Sequence, residues 1–327
     1  MSPVLDKPEL VIFGDVALDV FLEVPGLPSK GEDVRVNRRA AFPGGSAANC
    51  AAMVAGLGVA TRFLGNVGDD STGRELAIDL NKTGVITDHL LTVAGDSGTT
   101  TCVLTPDGER TFFSYRGVNA LHNPLHCSQD VLAHAAILHL SGYSFQDPGS
   151  RLTVSALLEK GRQHGCRISI DPSFVFASDN AVSPEKVLRG IDYFFPNRME
   201  ARLLCGTDDP LKAGSYLLDV GVGTVVFKLD QEGCLLVNRG GQQFVKGLTI
   251  QQPVDSTGAG DAFCAGFLTG QIWGLTDGDS AIIGHLAAAN VVQSLGGHTR
   301  LLNRRDLIAQ LKTHQFTELA LKMEKLD

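Results

Sequence analysis

Short β-prone runs alternate with longer stretches of helical periodicity along most of the 327 residues, and this order constrains the fold more than any other feature. An apolar run at residues 10–13 ends at Gly14, and a small-residue helical pattern at 46–58 leads into a second strand-like run at 61–64. The same alternation recurs in strands at 136–140, 167–170, 193–195 and 224–228 and helices at 150–164, 198–204 and 210–220. It predicts an α/β fold in which a doubly wound, mostly parallel sheet is sandwiched by helices.

Two regions interrupt the alternation. Residues 20–42 include Val34-Arg35-Val36, which alternates apolar and polar side chains, and residues 101–104 and 111–115 are β-prone runs that flank an Asp-Gly turn. An Asp-Gly turn between such runs favours a β-hairpin. We predict one domain over residues 1–327 with a small β-sheet lid inserted from about 19–43 and 98–117. The alternative is that these runs are edge strands of the main sheet.

The charge balance limits the classes of partner. Acidic residues outnumber basic ones by 36 to 28, a net charge of −8, which argues against a nucleic acid or an anionic membrane. The seven cysteines are scattered and include no Cys-x-x-Cys pair, which is typical of free thiols in a reducing compartment. The polar N-terminus lacks a signal-peptide pattern, and the longest mostly apolar stretch, 47–60, is too short for a membrane span. We therefore expect a cytoplasmic protein with no membrane partner.

The motif at residues 255–263 carries the strongest chemical signal. Gly258-Ala259-Gly260 precedes Asp261, and an apolar helical pattern follows at once. Backbone N–H groups at a helix N-terminus attract anions, and a carboxylate beside them is well placed to accept a proton. This pairing suits phosphoryl transfer to a hydroxyl, which needs a cradle for the phosphate and a base for the acceptor oxygen. The alternative is a tight turn followed by a first-turn aspartate that the helix dipole favours.

A second motif, at residues 43–49, lies between the predicted lid and a helix. Its paired glycines, Gly44 and Gly45, allow the backbone to approach a ligand closely. Ser46 is predicted to be the helix N-cap. Asn49, one turn into the helix, is placed to point back at a bound hydroxyl.

Residues 44–73 and 255–263 together resemble the two signature motifs of the ribokinase-like family, also called the PfkB carbohydrate kinases. The resemblance runs over nearly the whole chain, in order and with suitable spacing. It implies a doubly wound α/β sandwich with a β-lid that clasps a sugar and mediates dimerisation. The implied activity is ATP-dependent phosphorylation of a hydroxyl of a small carbohydrate by a homodimer.

The resemblance also implies roles for individual residues. Asp261 corresponds to the catalytic base, and Gly258, Ala259 and Gly260 correspond to the anion hole. The residues matched to sugar binding, together with two neighbours that can face the same crevice, are Asp15, Asp19, Gly44, Gly45, Asn49 and Arg116. A solvated loop position is the alternative for Asp15 and Arg116.

The resemblance also assigns residues to the binding of ATP and Mg²⁺. Asn197 and Glu200 are expected to organise Mg²⁺ and its waters, although their spacing alone indicates a helix capping box. Lys228 is expected to pair with ATP phosphates. The other implied ATP contacts are Asp230 (where a glycine is usual), Gly233, Thr257, Gly258, Gly260 and His285.

Two positions bear on cations and substrate. Asp255 corresponds to a ligand of a monovalent cation such as K⁺, but residues 296–298, the second half of that loop, depart from the ribokinase pattern. Ser46 replaces the lysine of ribokinases proper, which weakens the case for ribose.

Three other functions are compatible with parts of the sequence to different degrees. A nucleoside kinase of the same fold is the nearest, with Phe42, Phe112 and Tyr115 as candidate platforms for a base. A non-catalytic sugar-binding regulator is disfavoured because Asp261 and its glycine turn are intact. An NAD-linked oxidoreductase lacks its Gly-x-Gly-x-x-Gly motif after the first strand.

Overall fold

The structure is a computed structural model, and it describes residues 9–124, 131–179, 183–250 and 253–326. Its strands, in chain order, are β1 (Glu9–Phe13), β2 (Ala17–Glu23), β3 (Arg38–Gly44), β4 (Thr61–Gly68), β5 (Ile86–Val93), β6 (Gly98–Leu104), β7 (Arg110–Tyr115), β8 (Ala135–Ser141), β9 (Arg167–Asp171), β10 (Tyr193–Phe194), β11 (Thr224–Lys228), β12 (Gly233–Asn238) and β13 (Gly241–Lys246). The helices are α1 (Ser46–Gly56), α2 (Ser71–Lys82), α3 (Pro148–Gln163), α4 (Phe174–Ser178), α5 (Pro184–Leu188), α6 (Arg198–Cys205), α7 (Pro210–Val220), α8 (Ala259–Ile272), α9 (Asp277–Val291), α10 (Arg304–Thr313) and α11 (Thr317–Glu324).

Within the described residues, the main sheet has the strand order β13-β12-β11-β10-β9-β8-β1-β4-β5. Its pairs from β11 to β5 are parallel, whereas β12 and β13 add antiparallel strands at one edge. Alternate residues of β1 enter two hydrophobic cores, Leu10 and Ile12 on one face and Val11 and Phe13 on the other. Helices α1, α8 and α9 cover the first face and α3, α6 and α7 the second. The predicted doubly wound sandwich is confirmed.

A separate sheet of four strands, in the order β3-β2-β6-β7, forms the lid. Strands β6 and β7 pair as the predicted hairpin, whose turn includes Gly108 at φ 85°. The prediction of a strand at 34–36 was wrong, because β2 pairs along its whole length with 38–44. The alternating pattern of residues 34–36 lies in an exposed loop before β3.

The cysteines within the described residues are free, and most are buried; Cys127 lies outside those residues. None of the helices within the described ranges is both long enough and apolar enough to cross a bilayer.

Candidate active site

The candidate site lies where parallel strands of the main sheet end, which is the usual ligand crevice of such sheets. Asp15 follows β1, Asp171 ends β9 and Lys228 ends β11. The first turn of α8 faces the same crevice, and β2 of the lid brings Asp19 to it. The fold thus gathers residues that lie more than two hundred positions apart in the sequence.

Asp261 is the centre of this arrangement. Helix α8 begins after Gly258, whose φ of 76° turns the chain into the helix, and Asp261 lies in its first turn. Its Oδ1 accepts a hydrogen bond from Ser46 Oγ and its Oδ2 accepts one from Asn49 Nδ2, each at 2.8 Å. Burial, reinforced by the charge of Asp171, raises the pKa of Asp261 to about 6. The carboxylate is therefore oriented by the second motif and can take up a proton near neutral pH.

The predicted anion hole surrounds the start of α8. Ala259 donates its N–H to the Ser256 carbonyl at 3.2 Å, so this amide already takes part in the turn. Within the described residues the N–H groups of Gly258 and Gly260 donate to no backbone carbonyl, although the Gly258 carbonyl accepts from the Ala262 N–H at 2.8 Å. A Cβ at Gly258 would lie 2.6 Å from the Cα of Gly297, so the turn packs directly against the 296–298 loop. Gly258 and Gly260 are the better-placed donors for an anion.

Ser46 does not cap its helix, contrary to the sequence prediction. The N-cap of α1 is Gly45, at φ 97° and without a side-chain cap. A Cβ at Gly45 would lie 2.6 Å from the carbonyl oxygen of Asp15, which explains the glycine. Helix α1 therefore starts one residue earlier than expected, with Ser46 as its first residue, and the Ser46 hydroxyl is free to reach Asp261.

The side chain of Asn49 is itself held in place by residues of the 296–298 loop. Its Nδ2 donates to Asp261, so its Oδ1 must be an acceptor, and His298 Nδ1 lies 2.7 Å from that oxygen. The opposite ring nitrogen, Nε2, lies 2.8 Å from Asp79 Oδ2. A Cβ at Gly297 would come within 2.3 Å of Asn49 Nδ2. The 296–298 loop thus fixes which way the Asn49 amide points.

A buried ion pair lies beside the predicted anion hole. Lys228 Nζ is 2.5 Å from Asp171 Oδ1, with side-chain exposures of 16% and 8%. The ammonium also lies 3.5 Å from the position of a Cβ on Gly260. Asp171 raises the pKa of Lys228 despite burial, so the lysine stays charged. The sequence predictions included Lys228 but missed Asp171, although an acidic residue at the end of a parallel strand was a usable signal.

Asn197 and Glu200 form the capping box that their spacing indicated. Asn197 Oδ1 accepts from the Glu200 N–H and Glu200 Oε2 accepts from the Asn197 N–H, each at 2.8 Å. Burial raises the pKa of Glu200 to about 7. Glu200 and Asp171 are both almost fully buried and offer the oxygen ligands that Mg²⁺ prefers. No acidic, histidine or cysteine trio among the described residues is arranged to hold a metal by itself, so Mg²⁺ fits there only with waters and phosphates completing its shell.

A cavity of about 550 Å³ extends from Ala259 and Gly260 at the start of α8 towards α9. Its lining combines polar and apolar side chains: Asn197, Lys228, Asp230, Gly233, Leu248, Ile250, Ser256, Ala259, Gly260, Phe263, His285, Ala288, Ala289 and Val292 contribute to it. Volumes of 300 to 1,000 Å³ are typical of small-molecule sites, so a nucleotide fits. Among the predicted ATP contacts, Thr257 and Gly258 are not part of this lining.

Two residues of the cavity are unusual, Asp230 in its backbone conformation and His285 in its protonation and hydrogen bonding. Asp230 has φ 51°, the left-handed region, which explains why a glycine is usual there. His285 is 8% exposed, and burial lowers its pKa to about 4, so the ring is neutral. Its Nε2 is buried and has no hydrogen-bond partner among the described residues.

Asp19 and Gly44 are fitted to each other. A Cβ at Gly44 would lie 2.0 Å from Asp19 Oδ2, so only glycine leaves room for the carboxylate. Burial and the charges of Asp261 and Asp255 raise the pKa of Asp19 to about 7.

Arg116 and Asp15 are paired with each other. The Arg116 guanidinium donates to both Asp15 oxygens at 2.7 and 3.1 Å, and its Nε lies 2.7 Å from Asp147 Oδ2. It also donates to the backbone carbonyls of Tyr143 and Asn119. Burial outweighs Arg116 and raises the pKa of Asp15 to about 6. A contact between Arg116 and substrate, as predicted, would require these bonds to break.

Asp255, the predicted ligand of a monovalent cation, is already surrounded by donors. Its Oδ1 accepts from the N–H and Oγ1 of Thr257 at 3.0 and 2.8 Å, and its Oδ2 accepts from the Gly296 N–H at 3.1 Å. Arg110 of the lid lies 3.0 Å from Oδ1. A monovalent cation does not fit beside this side chain without displacing one of these partners.

Comparison with known proteins agrees with this geometry. The model of the pfkB family carbohydrate kinases matches residues 7–303. The chain belongs to this family. It is therefore a phosphotransferase with an alcohol group as acceptor, and the predicted family and class of enzyme are confirmed.

Individual relatives span most of the chain. An ATP-dependent ribose-1-phosphate kinase of Halopiger xanaduensis is 31% identical over 267 residues, covering 81% of this chain and 84% of its own. A ribokinase of Haemophilus influenzae is 25% identical over 313 residues, covering 93% and 98%. The solved ribokinase of Arabidopsis thaliana, complexed with ribose and ATP, superposes with a TM-score of 0.83 at 26% identity, covering 94% and 99%.

Proposed function

We propose that this protein transfers the γ-phosphoryl group of ATP to a hydroxyl of a small carbohydrate, with Asp261 as the general base. The observation that carries this proposal is the position of Asp261. It lies in the first turn of α8, directly after the Gly258–Gly260 turn, and is hydrogen-bonded to Ser46 and Asn49 of the other motif. A base and an anion cradle thus share one crevice, as phosphoryl transfer requires.

The reaction follows from this geometry. The acceptor hydroxyl is placed at Asp261, which takes its proton as the oxygen attacks phosphorus and the bond to ADP breaks in line. The amides of Gly258 and Gly260 donate to the oxygens of the moving phosphoryl group. Lys228, charged and next to Gly260, offsets the negative charge of the phosphates. Mg²⁺, held through water by Glu200 and Asp171, would neutralise the nucleotide phosphates.

ATP is proposed to occupy the cavity between Lys228 and His285. The apolar walls from Leu248, Ile250 and Phe263 suit an adenine ring. The neutral His285 presents an unpartnered Nε2 that accepts a hydrogen bond from an exocyclic amine.

The sugar is proposed to lie between the lid and α1. Asp19 and Gly44 reach the crevice from the lid sheet, while Gly45 and Asn49 line it from the start of α1. Ser46 hydrogen-bonds the base and adds no positive charge, so the pocket is not specialised for ribose in the way that the lysine-bearing ribokinases are.

A nucleoside kinase is the second candidate, supported by one feature of the lid. Side chains alternate along a strand, so Arg110, Phe112 and Ser114 of β7 share one face. Because Arg110 reaches Asp255, that face looks onto the crevice. Phe112 is 54% exposed there and would serve as a platform for a nucleobase.

The opposite face of β7 supports the proposed homodimer. Phe113 and Tyr115 point away from the crevice and are 61% and 58% exposed. Two large aromatic side chains exposed side by side on one strand suit contact with the lid of a second copy. Light scattering of the purified protein, compared with a Phe113→Glu variant, tests this: the wild type is expected to be dimeric and the variant more dissociated.

The activity itself is tested with a panel of hexoses, pentoses, keto-sugar acids and nucleosides. Each is incubated with Mg²⁺ and ATP, ADP formation is followed, and the product is identified by phosphorus NMR. We expect a phosphate monoester from a sugar. Turnover of nucleosides alone would favour the second candidate, and ADP formation independent of any acceptor would contradict both.

A further inference from the structure

The surroundings of Asp255 differ from those of a cation ligand. The carboxylate is 2% exposed, and its two oxygens receive three hydrogen bonds from Thr257 and Gly296. These bonds satisfy its acceptors but leave its negative charge without a counter-charge. A buried charge without a partner is strongly destabilising, so the charge on Arg110, 3.0 Å away, is important here.

Arg110 comes from a different part of the molecule. It is the first residue of β7, next to the hairpin turn of the lid, and it pairs in register with Leu104. The same guanidinium group donates to Ser256 Oγ at 2.8 Å. One lid side chain therefore contacts two consecutive residues of the loop that leads into the anion hole.

The rest of that loop is also restrained by contacts with neighbouring segments. Val254 donates to the Val292 carbonyl at 2.8 Å, and Gly258 is in van der Waals contact with Gly297. Asp255 itself joins the loop to Gly296. A charge imbalance at Asp255 would therefore act on the backbone of Gly258 and Gly260, a few residues further on.

We infer that the lid guanidinium of Arg110 takes the place of a bound monovalent cation at Asp255 and makes the anion-hole loop depend on lid closure. Arg110 is a positioning residue: it touches neither reacting atom but sets the loop that carries the donors. The effect of Arg110 on catalysis rests on the proposed function. Its effect on the stability of the loop can be tested without that function. The inference is an alternative to the expectation that Asp255 binds K⁺.

Because Arg110 belongs to the lid, its ion pair with Asp255 has a consequence that a bound cation would not have. Asp19, on the same lid sheet as Arg110, lies close enough to Asp255 and Asp261 for both charges to act on it. When the lid opens, Asp19 and Arg110 leave together, and Asp255 loses its counter-charge. Closure over a substrate therefore completes the sugar site and sets the anion-hole loop in one movement.

The test compares Arg110→Gln with Arg110→Lys and with a control, Arg38→Gln. Arg38 belongs to the same lid sheet, but its ion pair with Glu23 is exposed and remote from Asp255. Each protein is studied in potassium chloride and in choline chloride at equal ionic strength. The thermal midpoint and the hydrogen exchange of residues 254–260 are measured without ligand, and MgATP affinity is measured by calorimetry.

We expect the wild type and Arg38→Gln to behave alike in both salts. Arg110→Gln should show a lower midpoint and faster exchange in choline, and MgATP binding weaker by roughly five- to tenfold, since a partly exposed ion pair is lost. Potassium should reverse these losses because it can then occupy the vacated position. Arg110→Lys, which keeps the charge, should lie near the wild type.

Potassium dependence of the wild type would overturn the inference. So would an Arg110→Gln variant that matches Arg38→Gln, or losses in Arg110→Gln that potassium does not reverse. The midpoint and the exchange rates need no nucleotide, so a wild type that fails to bind MgATP in either salt contradicts the proposed function and leaves these two readouts to decide the role of Arg110.

Discussion

Replacing Asp19 by Asn should stabilise the free protein at alkaline pH, although it removes a residue of the proposed sugar site. Asp19 is 9% exposed, and its charge lies close to the charges of Asp261 and Asp255. Burial and these two neighbours raise its pKa from 3.8 to about 7. The folded protein therefore resists ionisation of this side chain, whereas the unfolded chain does not.

The size of the effect follows from the pKa difference. A difference of about three units corresponds to about 4 kcal/mol of folding free energy when Asp19 is charged in both states. The asparagine amide also has to be desolvated, and the neighbouring carboxylates relax, so a gain of about 1 to 3 kcal/mol is expected.

The pH dependence has a definite sign. Because the pKa of Asp19 is raised in the folded state, its cost to stability is absent below 3.8, grows as the pH rises, and is complete above about 7. Asp19→Asn should thus be more stable than the wild type near pH 8 and about equally stable near pH 4. Urea unfolding at a series of pH values measures this difference, with the m-value as a check that the unfolded state is unchanged.

Two results would refute this reasoning. One is an Asp19→Asn variant that is less stable than the wild type near pH 8. The other is a stability difference that does not vary with pH. Either would mean that Asp19 is stabilised by contacts rather than strained by its neighbours.

Three further predictions concern the same crevice. Gly44→Ala should lose about 1 to 3 kcal/mol in urea unfolding, because its Cβ would lie 2.0 Å from Asp19 Oδ2, and most of this loss should vanish when Asp19 is also replaced by Gly; a full loss in the double variant would contradict the clash. Lys228→Met should lose about 3 kcal/mol in the same assay and weaken MgATP binding, because Asp171 is left buried and unpaired; unchanged stability would show that this pair is not important for the fold. The kcat/KM of the wild type should fall about tenfold per pH unit below pH 6, where Asp261 becomes protonated, and a profile flat down to pH 5 would contradict its role as base.

Much of the architecture could be predicted because local sequence patterns indicate the individual strands and helices. The apolar runs of β1 and β11 and the helical run of α7 are complete signals by themselves, and the structure places them within a residue of the predicted bounds. Strand β4 was predicted to end at 64 but continues to Gly68. Residues 65–68 have weak strand propensity and are held extended by pairing with β5, which no local pattern reveals.

The residues of the candidate site also divide into those that a local motif reveals and those that only the fold reveals. Asp261 and Asn49 were identified because their motifs are contiguous in the sequence. Asp171 and Arg110 were missed because their importance depends on which strand ends and which lid edge meet in space. The capping role of Ser46 was mispredicted because Gly45 adopts a φ of 97°, which shifts the start of α1 by one residue.

The central claim is that the carboxylate of residue 261 takes the proton of the acceptor hydroxyl. Its most direct test is the turnover of Asp261→Asn with an identified sugar, beside the MgATP affinity of the same variant. Asparagine can keep the contacts with Ser46 and Asn49 but cannot serve as a base. We predict MgATP affinity close to that of the wild type and kcat lower by about 10² to 10⁴. A folded variant that binds MgATP and turns over within a few-fold of the wild-type rate would contradict the account.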